Sequence, residues 1–143
     1  MIGIFIALIS GGLMSIQGVF NTEVTKASSV WASASWVQLS ALATCLAVWG
    51  TRERGNLLNV FQVSPKYMLL GGVIGAGITW TVIKSIAALG PAKSALLIVI
   101  AQLAVAYIIQ LLGLFGMDRE PLDWRKVGGL ALAIIGIAIF QWE

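Results

Sequence analysis

Five runs of about 20 apolar residues, divided by short polar strings, leave this chain few ways to fold. A run of that length crosses the hydrocarbon core as a helix, because in lipid each backbone polar group must find its partner inside the segment. The spans fall at about 2–20, 30–50, 66–89, 92–117 and 124–142. Asn21-Thr22-Glu23 closes the first, and Thr51-Arg52-Glu53-Arg54 closes the second. Ser64-Pro65-Lys66 opens the third, with proline suited to the first turn of a helix. Gly90-Pro91 breaks the chain before the fourth, since proline disfavours a helical residue ahead of it, and Asp118-Arg119-Glu120-Pro121 precedes the fifth. Residues 1–143 thus read as a single all-α membrane domain of five transmembrane helices. In the longest connection, 51–66, Leu57-Leu58-Asn59-Val60-Phe61 reads as a short amphipathic piece at the interface.

Only 10% of the residues are charged, against roughly 25% in soluble domains, so a water-soluble globule is excluded. The net charge of +3 carries no nucleic-acid signal, because the Lys and Arg residues gather at the ends of apolar runs. The N-terminal stretch lacks a basic region and is interrupted by Ser10 and Gly11-Gly12, which favours a retained first helix over a signal peptide. Trp31, Trp49, Trp124 and Trp142 sit near span ends, where indole rings favour the headgroup layer, whereas Trp36 and Trp80 lie deeper.

An odd number of spans puts the termini on opposite sides of the membrane. The N-terminal side then carries Arg52, Arg54, Lys66, Arg119, Arg125 and Lys126, and the other side carries Lys26, Lys93 and a snorkelling Lys84. This bias favours a cytoplasmic N-terminus while leaving inverted insertion open.

Polar residues inside the spans are the candidates for function, since they are costly in lipid and usually face a protein interior or a water-filled path. Gln17 and Asn21 are four apart and project from one face of the first helix. They line a cavity or form interhelical hydrogen bonds, and Asn21 also suits a helix cap. Gln102, Ala106 and Gln110 share a stripe on the fourth helix with Tyr107 beside it. Lys84, on the third helix, either snorkels to the interface or faces the cavity as a cation. Gly71 and Gly75 form a small-xxx-small pattern, and Gly128, Gly129 and Gly136 mark the last helix as a packing face or subunit contact.

The absences narrow the function classes. No Asp or Glu is expected in the middle of a span, and the chain has no histidine. Cys45 is the only cysteine, so neither an intrachain disulfide nor a cysteine-histidine zinc site can form. Without a nucleotide-binding loop or nucleophile-base pair, no cofactor, metal or catalytic residue is expected.

The string Leu89-Gly90-Pro91-Ala92-Lys93-Ser94-Ala95, then Gln102, then Glu120-Pro121-Leu122 and Gly128-Gly129-Leu130 through Gly136, resembles the drug/metabolite transporter superfamily. Gly11-Gly12, Gln17, Gly18 and Asn21, with Gly113-Leu114-Phe115-Gly116 closing helix four, resemble its single-domain YdcZ-like branch of five-helix units. Where the family pattern has a serine and an aspartate after the helix-four glutamine, this chain has Ala106 and Gln110, which removes a carboxylate. The resemblance implies half of an inverted-repeat, ten-helix transporter working by alternating access. The other half would be an antiparallel copy of the chain or an oppositely oriented homologous subunit. Helices one to four of each subunit would line the cavity, and helix five would hold the dimer.

A small polar or anionic metabolite is the expected substrate, with Gln17 and Gln102 the first hydrogen-bonding partners and Asn21, Trp36, Trp80, Lys84, Tyr107 and Gln110 behind them. The rival readings are a dimeric ion channel and a non-transporting subunit of a larger membrane complex.

Overall fold

The computed structural model describes residues 2–141, and Trp142 and Glu143, expected at the close of the last span, lie outside the described residues. The helices are α1 (Ile2–Ala27), α2 (Val30–Val48), α3 (Gly71–Leu89), α4 (Pro91–Leu112) and α5 (Trp124–Gln141). Among the described residues, four segments have the length and apolarity of a membrane span. They are α1, α2 with the π-turn Trp49–Glu53 that continues it, α3 with the 3-10 turn Lys66–Leu70 that leads into it, and α4. α5 has 18 residues and is not among them.

Two helix ends differ from the sequence reading for physical reasons. α1 runs straight through Asn21-Thr22-Glu23 and stops only at Ala27. The Thr22 and Thr25 hydroxyls each donate to the carbonyl four residues back, Gly18 and Asn21, at 2.8 Å. Hydroxyls bonded to their own helix satisfy themselves without unwinding it. The Glu23 carboxylate lies 2.6 Å from the Lys26 ammonium, so the acid and base of this stretch neutralise each other along the helix. Asn21 is therefore a mid-helix residue and does not cap an end. α4, in turn, stops at Leu112, short of 117, because Gly113 adopts a left-handed φ of 62° and its N–H bonds to the Gln110 carbonyl at 3.3 Å. Glycine reaches that conformation without a Cβ clash.

The chain divides into two units, Met1–Ala88 and Leu89–Glu143. In the first, only Ser28 and Ser29 separate α1 from α2. Ser29 caps α2, its Oγ accepting the Ala32 N–H at 3.2 Å. One turn on, the buried Ser33 hydroxyl donates across the pair to the Asn21 carbonyl at 2.9 Å. α3 closes on both helices. A Cβ built on Gly18 of α1 would lie 2.7 Å from Ile86 Cδ1 and 3.3 Å from Val82 Cγ1, so glycine permits the α1–α3 approach. Trp31 of α2 stacks on Trp80 of α3, with ring centroids 6.3 Å apart and planes inclined by 25°. Trp31, expected to anchor the headgroup layer, thus also packs within the protein.

In the second unit, α4 begins abruptly at Gly90-Pro91, where Gly90 takes φ 80° and proline fills the first helical position. α5 starts after Asp123, whose Oδ1 accepts the Arg125 N–H at 2.8 Å. The Tyr107 hydroxyl of α4 donates to the Asp123 carbonyl at 3.2 Å and accepts its N–H at 3.0 Å. Glu120 N–H bonds to the Gln110 carbonyl at 3.0 Å, and Arg119 Nε donates to the Leu111 carbonyl at 3.2 Å. Two carbonyls left over at the end of α4 are thereby satisfied by the connection that follows it.

The α1–α3 approach is open to a direct test. Ile86 Cδ1 ends a flexible side chain, so Gly18→Ala is expected to be nearly neutral. Gly18→Leu is expected to destabilise by about 1–3 kcal/mol, as overpacking does. Denaturation of the two variants in mild detergent, followed by far-ultraviolet circular dichroism, measures the difference.

Candidate functional site

The α1–α2 hairpin sets the geometry of the larger concavity. A groove of about 720 Å³ runs between the two helices and is confined to them. α1 contributes Met14, Gln17, Phe20 and Asn21 to its wall, and α2 contributes Trp36, Val37, Ser40, Thr44 and Cys45. Three residues singled out by the sequence, Gln17, Asn21 and Trp36, thus meet at one surface. Their convergence follows from helical period and the short joint: Gln17 and Asn21 are one turn apart, and the Ser33–Asn21 bond turns Trp36 and Val37 toward them.

The hydrogen-bond status of these side chains separates framework from site. Among the described residues, the Asn21 backbone carbonyl is bonded by Ser33 and Thr25, yet no group bonds its side-chain amide, although Asn21 is buried. The Gln17 amide likewise has no partner among the described residues, and its side chain is exposed along the groove. In a bilayer, an amide left without a partner is costly unless water, a solute or another chain supplies one. The Ser40 and Thr44 hydroxyls already donate to the Val37 and Ser40 carbonyls of their own helix, at 3.0 and 2.9 Å.

The second unit holds a smaller cleft of about 330 Å³ between α4 and α5, lined by Leu103, Ala106, Tyr107, Gln110, Lys126, Gly129 and Leu130. Tyr107 and Gln110 therefore share one surface. The Tyr107 hydroxyl is engaged with the Asp123 backbone, so its ring is what the cleft receives. Lys126 forms an ion pair with Glu120 at the mouth. Gln102 lies on the same stripe of α4, one turn before Ala106, outside the cleft lining and exposed. Trp80 is half-buried against Trp31, and Lys84 is exposed; neither lines the groove or the α4–α5 cleft. On α5, a Cβ at Gly128, Gly129 or Gly136 would meet nothing within 4 Å, so there is room beside each, and Gly129 borders the cleft toward α4.

Sequence reasoning passed over Ser33, Ser40 and Thr44, and considered Cys45 only as a lone thiol. The signal was present in the spacing of Ser33, Ser40 and Thr44, seven and then four residues apart, the mark of one helix face. It was masked because all of them are uncharged and individually tolerable in a transmembrane helix.

Comparison with known proteins matches residues 2–139 to a family model described as "Putative inner membrane exporter, YdcZ". The chain belongs to this family and is an integral inner-membrane protein, and the family is one of exporters and not a class of enzymes. No curated protein and no solved structure matches it.

The second hairpin predicts a local effect. Tyr107→Phe removes both bonds to Asp123 and is expected to cost about 1 kcal/mol, raising exchange of the Asp123 amide hydrogen about fivefold. Hydrogen exchange in detergent reads this directly, and amides in α1 and α2 are expected to be unchanged.

Proposed function

We propose that this member of the YdcZ family is half of an exporter whose working unit is an antiparallel dimer, with the α1–α2 groove forming one wall of the substrate path. The observation that carries the reading is a pair of side-chain amides, those of Gln17 and buried Asn21, that line the groove beside Trp36 and have no partner among the described residues. Inverted halves rocking about a midplane site would give alternating access, and a second five-helix unit would supply the facing wall. In this reading α5 is the fifth crossing. The room beside its Gly128, Gly129 and Gly136 suits close contact with another helix, which supports a role in holding the dimer. Trp80, Lys84, Gln102, Tyr107 and Gln110 are secondary candidates for the path.

The charge pattern favours a small polar or anionic metabolite over a lipophilic cation. The one carboxylate within α1–α4, Glu23, is already paired with Lys26, and the groove wall contains no acidic residue. A cation would find amides and an indole there but no counter-charge. Cells overproducing the protein are expected to enrich the medium in such a metabolite. Gln17→Ala combined with Gln102→Ala is expected to cut that export at least about tenfold, the scale of one lost hydrogen bond to a charged group. Tight binding of quaternary ammonium compounds, unchanged in the double variant, would overturn the substrate assignment.

Orientation tests the dimer. With Cys45→Ala and one cysteine added after Glu143, an impermeant maleimide applied to intact cells is expected to label about half of the chains, as dual insertion and a self-sufficient antiparallel homodimer require. Labelling of nearly all or nearly none would instead assign the facing half to an oppositely oriented homologous subunit.

A further inference from the structure

The connection between α2 and α3 is more apolar than a loop outside the hydrocarbon should be. Its 3-10 turn, Leu57–Gln62, exposes Leu57, Leu58, Val60 and Phe61, with Leu58 at 66% and Phe61 at 60% of full exposure. No element among the described residues covers this surface. The turn is nevertheless well defined: Asn56 Oδ1 accepts the Leu58 N–H at 3.0 Å, and Gln62 Nε2 donates to Asn59 Oδ1 at 3.2 Å. Its polar side chains are thus bonded within the turn, and its apolar ones point away from it.

Cations bracket the apolar surface. Arg52 and Arg54 precede it and Lys66 follows, against one carboxylate, Glu53, and no acidic residue lies between Arg54 and Lys66. Arg54 Nε donates to the Gly50 carbonyl at 3.0 Å, and the Lys66 ammonium donates to the Phe61 carbonyl. The first bond tethers Arg54 to the π-turn that ends α2 and the second tethers Lys66 to the 3-10 turn, and each cation keeps further N–H donors for another acceptor. The spans on either side, Val30–Glu53 and Lys66–Leu89, hold both ends of this connection at one membrane face. An apolar patch with a cationic rim, fixed at that depth, matches an interfacial layer of acyl chains and phosphates. A second copy of the same surface would instead set its three cations against their own duplicates.

We propose that residues 52–66 form an in-plane anchor that binds anionic phospholipid, with headgroup phosphates held by Arg52, Arg54 and Lys66 and the side chains of Leu57, Leu58, Val60 and Phe61 set into the acyl boundary. The site is separate from the groove, and its assignment does not depend on the exporter reading.

The test uses the full chain with Cys45→Ala and Leu58→Cys, labelled with an environment-sensitive fluorophore. It is reconstituted into vesicles of phosphatidylcholine alone or of phosphatidylcholine with phosphatidylglycerol. Quenching by acrylamide, a neutral aqueous agent, is expected to fall about fivefold or more when phosphatidylglycerol is present, and to recover at high salt. Combined Arg52→Gln, Arg54→Gln and Lys66→Gln substitutions are expected to abolish the difference between the two vesicles. If that variant fails to reconstitute, the salt titration of the parent protein decides alone. Equal quenching in both vesicles overturns the proposal, and equal protection in both, accompanied by energy transfer between labels, assigns the patch to a second copy.

Discussion

Hydroxyl groups bonded to another element's backbone hold this protein's helix pairs in register. Lipid tails are as apolar as leucine, so burying one aliphatic helix face against another gains little in a membrane, and close packing with a few directed hydrogen bonds must orient the helices. Such a bond system is found in each unit. Ser33 donates to the Asn21 carbonyl between α1 and α2, and Tyr107 brackets the Asp123 peptide between α4 and the start of α5. Groove and cleft both lie between helices pinned in this way. Glycine contributes in the complementary manner, by letting α3 come close to α1 at Gly18.

Much of the architecture was legible in the sequence because hydrocarbon thickness imposes a length that can be read directly. Four spans, the break at Gly90-Pro91 and the start of α5 all follow from it. The ends were harder. Asn21-Thr22-Glu23 looks like a terminator when polarity alone is considered, yet each of its neighbours has a local partner one turn away, and the helix persists. Conversely, Gly113 stops α4 inside an apolar run that hydropathy carries on to Met117. Conformation decided there, and polarity gave no sign of it.

The candidate site was legible in part, and for the same reasons. Gln17 and Asn21 stand out as polar groups in an apolar span, and helical period places them on one face. Trp36 could be nominated by depth alone, but only the hairpin geometry explains why it meets the two amides. Ser40 and Thr44 were easy to pass over because an uncharged small residue stands out only once its spacing along the helix is read. Bonding separates roles that residue type cannot: the Tyr107 hydroxyl belongs to the framework, while the Gln17 and Asn21 amides are without partners among the described residues.

The joint between α1 and α2 has a consequence for how such chains can vary in length. With helix up to Ala27 and again from Val30, two serines are the whole connection. A residue inserted there and taken up into α2 would turn that helix by about 100° relative to α1, more than a quarter turn on a 3.6-residue period. Ser33 would leave the Asn21 carbonyl, and Trp36, Ser40 and Thr44 would rotate off the groove with it. The stretch between Arg54 and Lys66 carries no bond across a helix pair, so insertions and deletions there leave the groove's alignment intact. Chain length is thus an inherited part of the site at one connection and free to drift at the next.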